Sequence, residues 1–302
     1  MKKICFITIT ALMLFTACSN HEEEINIAES KELIRLSSDI DEGVLGTRAN
    51  LSDAESQNSQ FANSKSIQVE VYKTGQSSSY NNGTYTTNGS GGLSGSLYYP
   101  ADGSNIDICA FYPGNVSSST TSFSVGNNQT TAASYQNYDL MYATKLTNKA
   151  KGSTHALSFR HAMAKIVVNL SAGNGVTSSD LSNYISAVKL KGLKKTANFS
   201  ITGGAVGSIT ADGTADDISI KGSTVTSAHN AIIVPQTKSA SAFIVVTYNG
   251  NDYTYSLPSS TTFSSGYVYT YNITVNSTGI SLSTTTITGW TSTTAVNASI
   301  TL

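Results

Sequence analysis

Strand signals recur through most of this chain, and helical periodicity is almost absent. Ile67-Gln68-Val69-Glu70-Val71-Tyr72 is the cleanest example, and it puts one set of side chains on each face of a strand. Further strand signals cover 93–99, 106–112, 122–125 and 140–145 in the first part of the chain. They return at 157–170, 185–190, 199–201, 231–234, 243–248, 253–257, 267–275 and 280–290. Asn82-Gly83 and Asn249-Gly250 are hairpin signals, and Pro100 and Pro113 close two of the runs because proline cannot donate to a ladder. The run 185–190 is expected to pair with 199–201. The one helix expected is a turn or two over 178–184, with Ser179-Asp180 able to cap it. About seven strands in each half predict an all-β chain of two β-sandwiches. Lys149-Ala150-Lys151-Gly152-Ser153 has the composition of the linker between them, which sets the expected domains at 49–152 and 153–302.

Charge narrows the function classes. Only 12% of the residues are charged, about half the usual share, and Ser, Thr, Asn, Gly and Tyr take their place. This is the composition of a secreted β-protein with polar, uncharged strand faces. Residues 19–48 hold 3 basic and 8 acidic side chains, and residues 49–302 hold 13 basic and 11 acidic. No basic patch interleaved with aromatics occurs, so nucleic acid is not an expected partner. Of the three cysteines, Cys5 and Cys18 lie at the N-terminus, and Cys109 has no intrachain partner to pair with. Cys109 is expected to pack as a small apolar residue in a strand.

The N-terminus is a targeting segment. Met1-Lys2-Lys3 precedes an apolar stretch over 4–15 that is too short to span a bilayer. It ends in Leu14-Phe15-Thr16-Ala17-Cys18, which resembles the bacterial lipobox, in which the cysteine thiol is acylated and becomes the new N-terminus. Residues 1–17 are then a lipoprotein signal peptide, and Cys18 is the lipidation site anchoring the chain to the outer membrane. The acidic run Glu22-Glu23-Glu24 resembles the surface-export signal of Bacteroidota lipoproteins.

Two further segments stand apart. Leu33-Ile34-Arg35-Leu36-Ser37 reads as a short strand, followed by the turn residues Asp39, Asp41, Glu42 and Gly43 and by Gly46-Thr47-Arg48-Ala49. Arg48 is one of only three arginines, and a small-residue loop around it can extend into a protease cleft without unfolding a core. Residues 18–48 are therefore read either as a prosegment with a removable strand, cut between Arg48 and Ala49, or as an ordinary N-terminal linker. At the other end, Val296, Ala298, Ile300 and Leu302 alternate with polar residues. Residues 291–302 are either the last strand of the second sandwich or a strand donated to another molecule.

An ordered set of segments resembles the fimbrillin family of Bacteroidota, the pilins of type V pili and their Mfa-like relatives. It comprises the motif at Cys18, Ile34-Arg35-Leu36 running to Thr47-Arg48-Ala49, and Phe159-Arg160-His161-Ala162-Met163-Ala164-Lys165-Ile166. Ile232-Ile233-Val234-Pro235-Gln236, Gly266-Tyr267-Val268-Tyr269-Thr270-Tyr271-Asn272-Ile273 and Ile287-Thr288-Gly289-Trp290 complete it. The resemblance implies two transthyretin-like Greek-key β-sandwiches and export as a lipoprotein. It also implies maturation by a trypsin-like protease after an arginine, and head-to-tail polymerisation with other fimbrial subunits by donor-strand exchange. A sandwich lacking one strand exposes an apolar groove and two unpaired ladders, which a strand from another subunit can fill. A host or glycan ligand is the further expected partner.

Sites for chemistry are not found. No nucleophile elbow, phosphate loop or paired carboxylate motif occurs, and no cofactor, metal or enzymatic activity is expected. His155 and His161 share a strand face if no bulge intervenes, but lack acidic or cysteine neighbours in sequence. The segment 212–217 has oxygen ligands without the spacing of a calcium loop and is read as a turn. Tyrosines at 253, 255, 267, 269 and 271 either cover a sheet face or form a platform for a glycan. The alternative to a fimbrial subunit is a monomeric surface lipoprotein, an adhesin or glycan-binding module that keeps its N-terminal strand.

Overall fold

In the computed structural model, residues 31–40, 60–225, 228–290 and the backbone of 295–296 are described. The first half contains β1 (Arg35–Ile40), β2 (Asn63–Lys73), β3 (Ser79–Asn88), β4 (Gly92–Ser94), β5 (Ile106–Tyr112) and β6 (Ser122–Ser124). Then come α1 (Ala132–Gln136), β7 (Met141–Ala143), β8 (Leu146–Lys149) and β9 (Thr154–His161). The second half opens with β10 (Ala164–Ala172), α2 (Ser178–Tyr184), β11 (Ile185–Leu193), β12 (Thr196–Asn198), β13 (Ile201–Thr202) and β14 (Ala205–Val206). It continues with β15 (Thr210–Asp212), β16 (Asp216–Ser219), β17 (His229–Ile233), β18 (Gln236–Lys238) and β19 (Ala242–Tyr248). β20 (Asn251–Ser256), β21 (Thr261–Phe263), β22 (Tyr267–Asn276), β23 (Gly279–Gly289) and β24 (Ala295–Val296) end it.

The expected all-β class holds. In the first half the hydrogen-bonded ladder runs β2-β3-β4-β1-β9-β7-β5 and returns to β2, with β8 also on β5, so it closes on itself. Closure removes sheet edges, which are otherwise templates for unwanted pairing. In the second half a sheet of order β17-β10-β22-β23-β24 accompanies one of order β16-β11-β19-β20, and the inward side chains of both enter one hydrophobic cluster.

β5 is the wall between the two cores. Its sequence Ile-Asp-Ile-Cys-Ala-Phe-Tyr is buried at every position, as its nearly continuous apolar run requires. Period two then sorts it: Ile106, Ile108, Ala110 and Tyr112 join the first cluster, while Cys109 and Phe111 join the second. Cys109 is the packed residue the sequence implies, and burial pushes its thiol up to about 11.

The halves also exchange elements. β6 leaves the first half to pair with β12, with Phe123 opposite Ala197. Gln129 follows it, donating through Nε2 to the Ile232 carbonyl at 2.8 Å and accepting from the Ile232 N–H at 2.8 Å. In return the β13–β14 hairpin reaches the first half. At Gly204, with φ of +82°, a Cβ would stand 2.6 Å from Cys109 Sγ, so only glycine lets the hairpin approach.

Several local expectations hold. Asn249 and Gly250 both have positive φ, 49° and 77°, as a two-residue turn between β19 and β20 requires. The helix at Ser178–Tyr184 forms, although its N-cap is Thr177, whose hydroxyl accepts from the Asp180 N–H while the Asp180 carboxylate returns to the Thr177 N–H. The segment 212–217 contains a turn, with Gly213 at φ +85°.

Others do not hold. Asn82 and Gly83 lie inside β3, opposite Glu70 and Val69, and the chain reverses around Gly75 instead. Gly83 is small because Leu97 packs over it, its Cδ2 only 3.1 Å from where a Cβ would be. β11 pairs with β16 and β19 rather than with 199–201, since Phe199 donates its N–H to the Thr121 carbonyl and Ile201 enters the β13–β14 hairpin. The run 157–170 is two strands, divided at Ala162-Met163. Sheet membership changes there, whereas Gly152 in the expected linker lies, at φ +94°, in the turn joining β8 to β9 inside the first-half sheet. β9 stays with the first half because both its partners, β1 and β7, belong to it.

Candidate functional site, the slot filled by the N-terminal strand

β1 occupies a slot between β4 and β9. It runs parallel to β9 in continuous register from Arg35 opposite Thr154 to Ile40 opposite Phe159. Against β4 it is antiparallel, with Leu36 opposite Leu93. Flanking backbone bonds extend the seat: Ile34 N–H to the Leu97 carbonyl at 2.8 Å, Tyr99 N–H to the Glu32 carbonyl at 2.9 Å, and Ser38 N–H to the Gly91 carbonyl at 2.7 Å. The segment is bonded on both sides, as an internal strand is.

Alternation decides what enters the slot. Ile34, Leu36, Ser38 and Ile40 are 0%, 3%, 6% and 2% exposed, while Leu33, Arg35 and Asp39 face outward. Ile34, Leu36 and Ile40 belong to the first-half cluster together with Val69, Tyr85, Leu97, Ile108, Leu157 and Phe159. Burying the three aliphatic side chains stabilises the folded state by about 5–9 kcal/mol at the usual 1.5–3 per side chain. Tyr85 clamps the strand from below: its hydroxyl donates to the Ile34 carbonyl at 2.8 Å, and burial pushes its own ionisation up to about 12. Gly95 makes room for that ring, since a Cβ there would lie 2.5 Å from it.

The remaining sequence-derived site residues are distributed as follows. Cys18, Arg48 and Ala49 lie outside the described residues, as do Ala298, Ile300 and Leu302. The backbone of Val296 lies in β24, opposite Ile287 of β23. His155 and His161 do share the inward face of β9, yet each has its own neighbour. His155 Nε2 is 2.6 Å from the Tyr99 hydroxyl, and His161 Nδ1 is 2.9 Å from Asp139 Oδ1. The His161 ring stacks on Trp290 at 3.9 Å with 3° between the planes. Among the described residues no three His, Cys, Asp or Glu side chains gather as a metal site.

The tyrosine platform does not exist as such. Tyr269, Tyr271 and Tyr255 are 3%, 1% and 8% exposed and belong to the second-half core, while Tyr267 alone of the β22 set faces solvent. Alternation placed these rings on one face, but that face is the inner one. Tyr269 settles its hydroxyl there by donating to the Thr262 carbonyl at 3.0 Å and accepting from the Ser264 N–H at 2.7 Å.

Sequence reasoning missed Tyr85, Tyr99 and Gly95 as the fittings of the slot, because none contacts β1 through sequence neighbours. It also missed the His161–Trp290 stack. That contact joins the last residue of β9, a strand walling the slot, to the residue that follows β23.

Comparison with known proteins bears on this arrangement. No curated protein matches the chain. Among solved structures, a protein from Bacteroides uniformis described as a cell adhesion protein is 23% identical with a TM-score of 0.65, covering 86% of this chain and 99% of its own. A second protein of that description, from Bacteroides ovatus, is 21% identical with a TM-score of 0.62, covering 86% and 98%. The tip fimbrial protein Mfa3 from Porphyromonas gingivalis, with C-terminal truncation, is 10% identical with a TM-score of 0.52, covering 85% and 99%. These likenesses establish a shared fold over nearly the whole of each relative. The fimbrillin-like family profile matches residues 47–290, and on that match this chain belongs to the fimbrillin-like family.

Proposed function

We propose that the chain is a structural subunit of a cell-surface fimbria that supports adhesion and polymerises by strand exchange. The observation that carries the reading is the seat of β1, which completes a closed ladder from a position joined to β2 only through the segment that contains Arg48. In this reading Cys18 is acylated and holds the exported precursor at the outer membrane. A trypsin-like protease cuts between Arg48 and Ala49, and β1 leaves. The loss of about 5–9 kcal/mol is comparable to the whole stability of an ordinary domain, so the emptied slot is under strong pressure to be refilled. The ladder is then open between β4 and β9, and a strand from another subunit can enter it. Residues 291–302 are the candidate donor, with Val296, Ala298, Ile300 and Leu302 supplying the inward face. Head-to-tail contacts of this kind do not close and give filaments. The family match begins at residue 47 and ends at residue 290, leaving β1 and the candidate donor outside it.

Deep burial of β1 also suits the second reading, a monomeric adhesin that retains the strand. Limited trypsin digestion distinguishes the two. The expected result is an early product beginning at Ala49, followed by filaments in electron micrographs, and by a folded, non-polymerising monomer when Ile300→Asp is introduced. Early cleavage elsewhere, or monomers that persist after the cut, would support the retained strand. Unfolding of the Ile300→Asp monomer would mark 291–302 as a core strand rather than a donor.

A further inference from the structure

A cleft of about 710 Å³ lies between the edge of β15, the β18–β21 pair and the end of β11. Seven of its lining residues carry a hydroxyl and none carries a carboxylate. Two of them are lysines, Lys194 and Lys238, in a chain with few charges of either sign. Among the described residues neither ammonium group makes a direct ion pair, although Asp212, its carboxylate taken by the Gly213 N–H and by Asn198 Nδ2, lies within electrostatic reach of Lys194. Lys194 Nζ and Lys238 Nζ each donate to a backbone carbonyl, of Ala211 and Gly192 respectively, at the long distance of 3.4 Å. Asp217, whose field reaches Lys238, is already committed: one oxygen takes Lys191 Nζ at 2.5 Å and the other the Gly192 N–H at 3.1 Å. Lys195 is likewise paired, with Asp216 at 2.6 Å. The positive charge at the cleft is therefore balanced only from a distance, while the neighbouring lysines outside it, Lys191 and Lys195, are directly paired.

The cleft is also built. Gln236 ties its floor to the Lys194 backbone, accepting from the Lys194 N–H at 3.0 Å and donating to the Lys194 carbonyl at 2.9 Å. Thr237 and Thr262 share a hydrogen bond of 2.9 Å across β18 and β21. Lys238 lies over Gly192, where a Cβ would stand 3.2 Å from Nζ at a φ of +63°. Burial lowers the Lys238 pKa, with the Asp217 charge partly offsetting it, which marks an ammonium partly withdrawn from solvent. Pockets of about 300–1,000 Å³ suit small organic ligands, and the seven hydroxyls with the Gln236 amide offer hydrogen-bonding groups to a polyol. The cleft by Lys73 is the contrast, because Lys73 is paired there with Asp102 at 2.6 Å.

We infer that this cleft binds an acidic oligosaccharide, with Lys194 and Lys238 taking its carboxylate or sulfate groups and the threonine and serine hydroxyls taking the sugar hydroxyls. The inference deepens the adhesive side of the proposed function. It is measured on the uncleaved monomer, so its failure leaves polymerisation untouched, and failure to polymerise leaves it untouched.

The test is titration calorimetry on the full chain with trigalacturonate, its neutral methyl ester, and a sulfated carrageenan tetrasaccharide. Saturable binding of at least one acidic probe is expected, and which one binds separates carboxylate from sulfate. Removal of one charge-assisted hydrogen bond, in Lys194→Gln or Lys238→Gln, should weaken that binding about tenfold or more. Lys73→Gln should leave it unchanged, and all three variants should keep the parent melting temperature. The inference is overturned if neither acidic probe saturates the chain, if the methyl ester binds as well as the acid, or if both cleft variants bind like the parent.

Discussion

The two halves each contain a parallel pair of strands in otherwise antiparallel surroundings, and the pairs differ in how they are tethered. In the second half β10 and β22 run parallel over Lys165–Ala172 and Val268–Val275, and β22 passes directly into β23 through a tight turn at Asn276 and Gly279. In the first half β1 and β9 run parallel over Arg35–Ile40 and Thr154–Phe159. β1 is not joined to its ladder partners by such a turn. It is separated from β2 by residues 41–62, and no other strand precedes it among the described residues. The local ladders are alike, so hydrogen bonding does not distinguish a permanent strand from a removable one. Covalent connection does: a cut near Arg48 would release β1, whereas no single cut frees β22.

The largest effect expected from this difference concerns core truncations. Leu36→Ala in β1 and Phe243→Ala in β19 should each destabilise the intact chain, by about 2–5 and about 3–5 kcal/mol respectively. After cleavage at Arg48 and removal of the released peptide, Leu36→Ala should have no effect, while the cost of Phe243→Ala should persist. Denaturant titrations of both forms measure this. An equal Leu36→Ala penalty in the cut protein would mean that β1 stays in its slot.

Acid should act on the second half first. His229 is fully buried in β17, and burial holds its pKa down at about 4, with Lys221 adding to the shift. Its Nδ1 accepts from the Gly222 N–H at 3.1 Å, which suits the neutral ring. Because the folded value is depressed, the unfolded chain binds more protons between about pH 6.5 and 4. Stability therefore falls as pH falls through that window, by roughly 3 kcal/mol at most, and the contribution is complete above it. His155 is lowered in the same direction by its burial in β9, with Lys149 adding to it. Hydrogen exchange at pH 5 should show β17 and β10 losing protection, and His229→Gln should flatten the pH dependence of that loss.

A smaller effect tests the clamp on β1. Tyr85→Phe removes the hydrogen bond to the Ile34 carbonyl and should cost about 0.5–1.5 kcal/mol in the intact chain. It should also speed exchange of the β1 amides without changing those of β22. Equal acceleration in both strands would show that the halves open together, as their exchanged elements β6 and β13–β14 could permit.

The amino-acid sequence by itself determined the class of structure and its local punctuation. Strand signals without helical periodicity dictated strands and Asn249-Gly250 dictated a hairpin, whereas the start of α2 was set at Thr177, two residues before the Ser179-Asp180 cap the sequence suggested. It also marked 33–37 as a short strand, apolar at its start, and the structure carries that strand on to Ile40. Tertiary structure alone decided the partners. Nothing local tells β6 to join β12, or β9 to stay with β1 and β7 rather than follow β10. Alternation also names two faces without naming the inner one, which is how Tyr269 and Tyr271 came to lie in the core instead of on a platform. The cleft at Lys194 and Lys238 depends on residues far apart in the chain, and so does the slot of β1, built from Tyr85, Leu97, Leu157 and Phe159. The physical reason is common to all of these. A strand's own residues set its periodicity through backbone geometry, but its neighbours are set by which complementary surfaces the whole chain can bury at once.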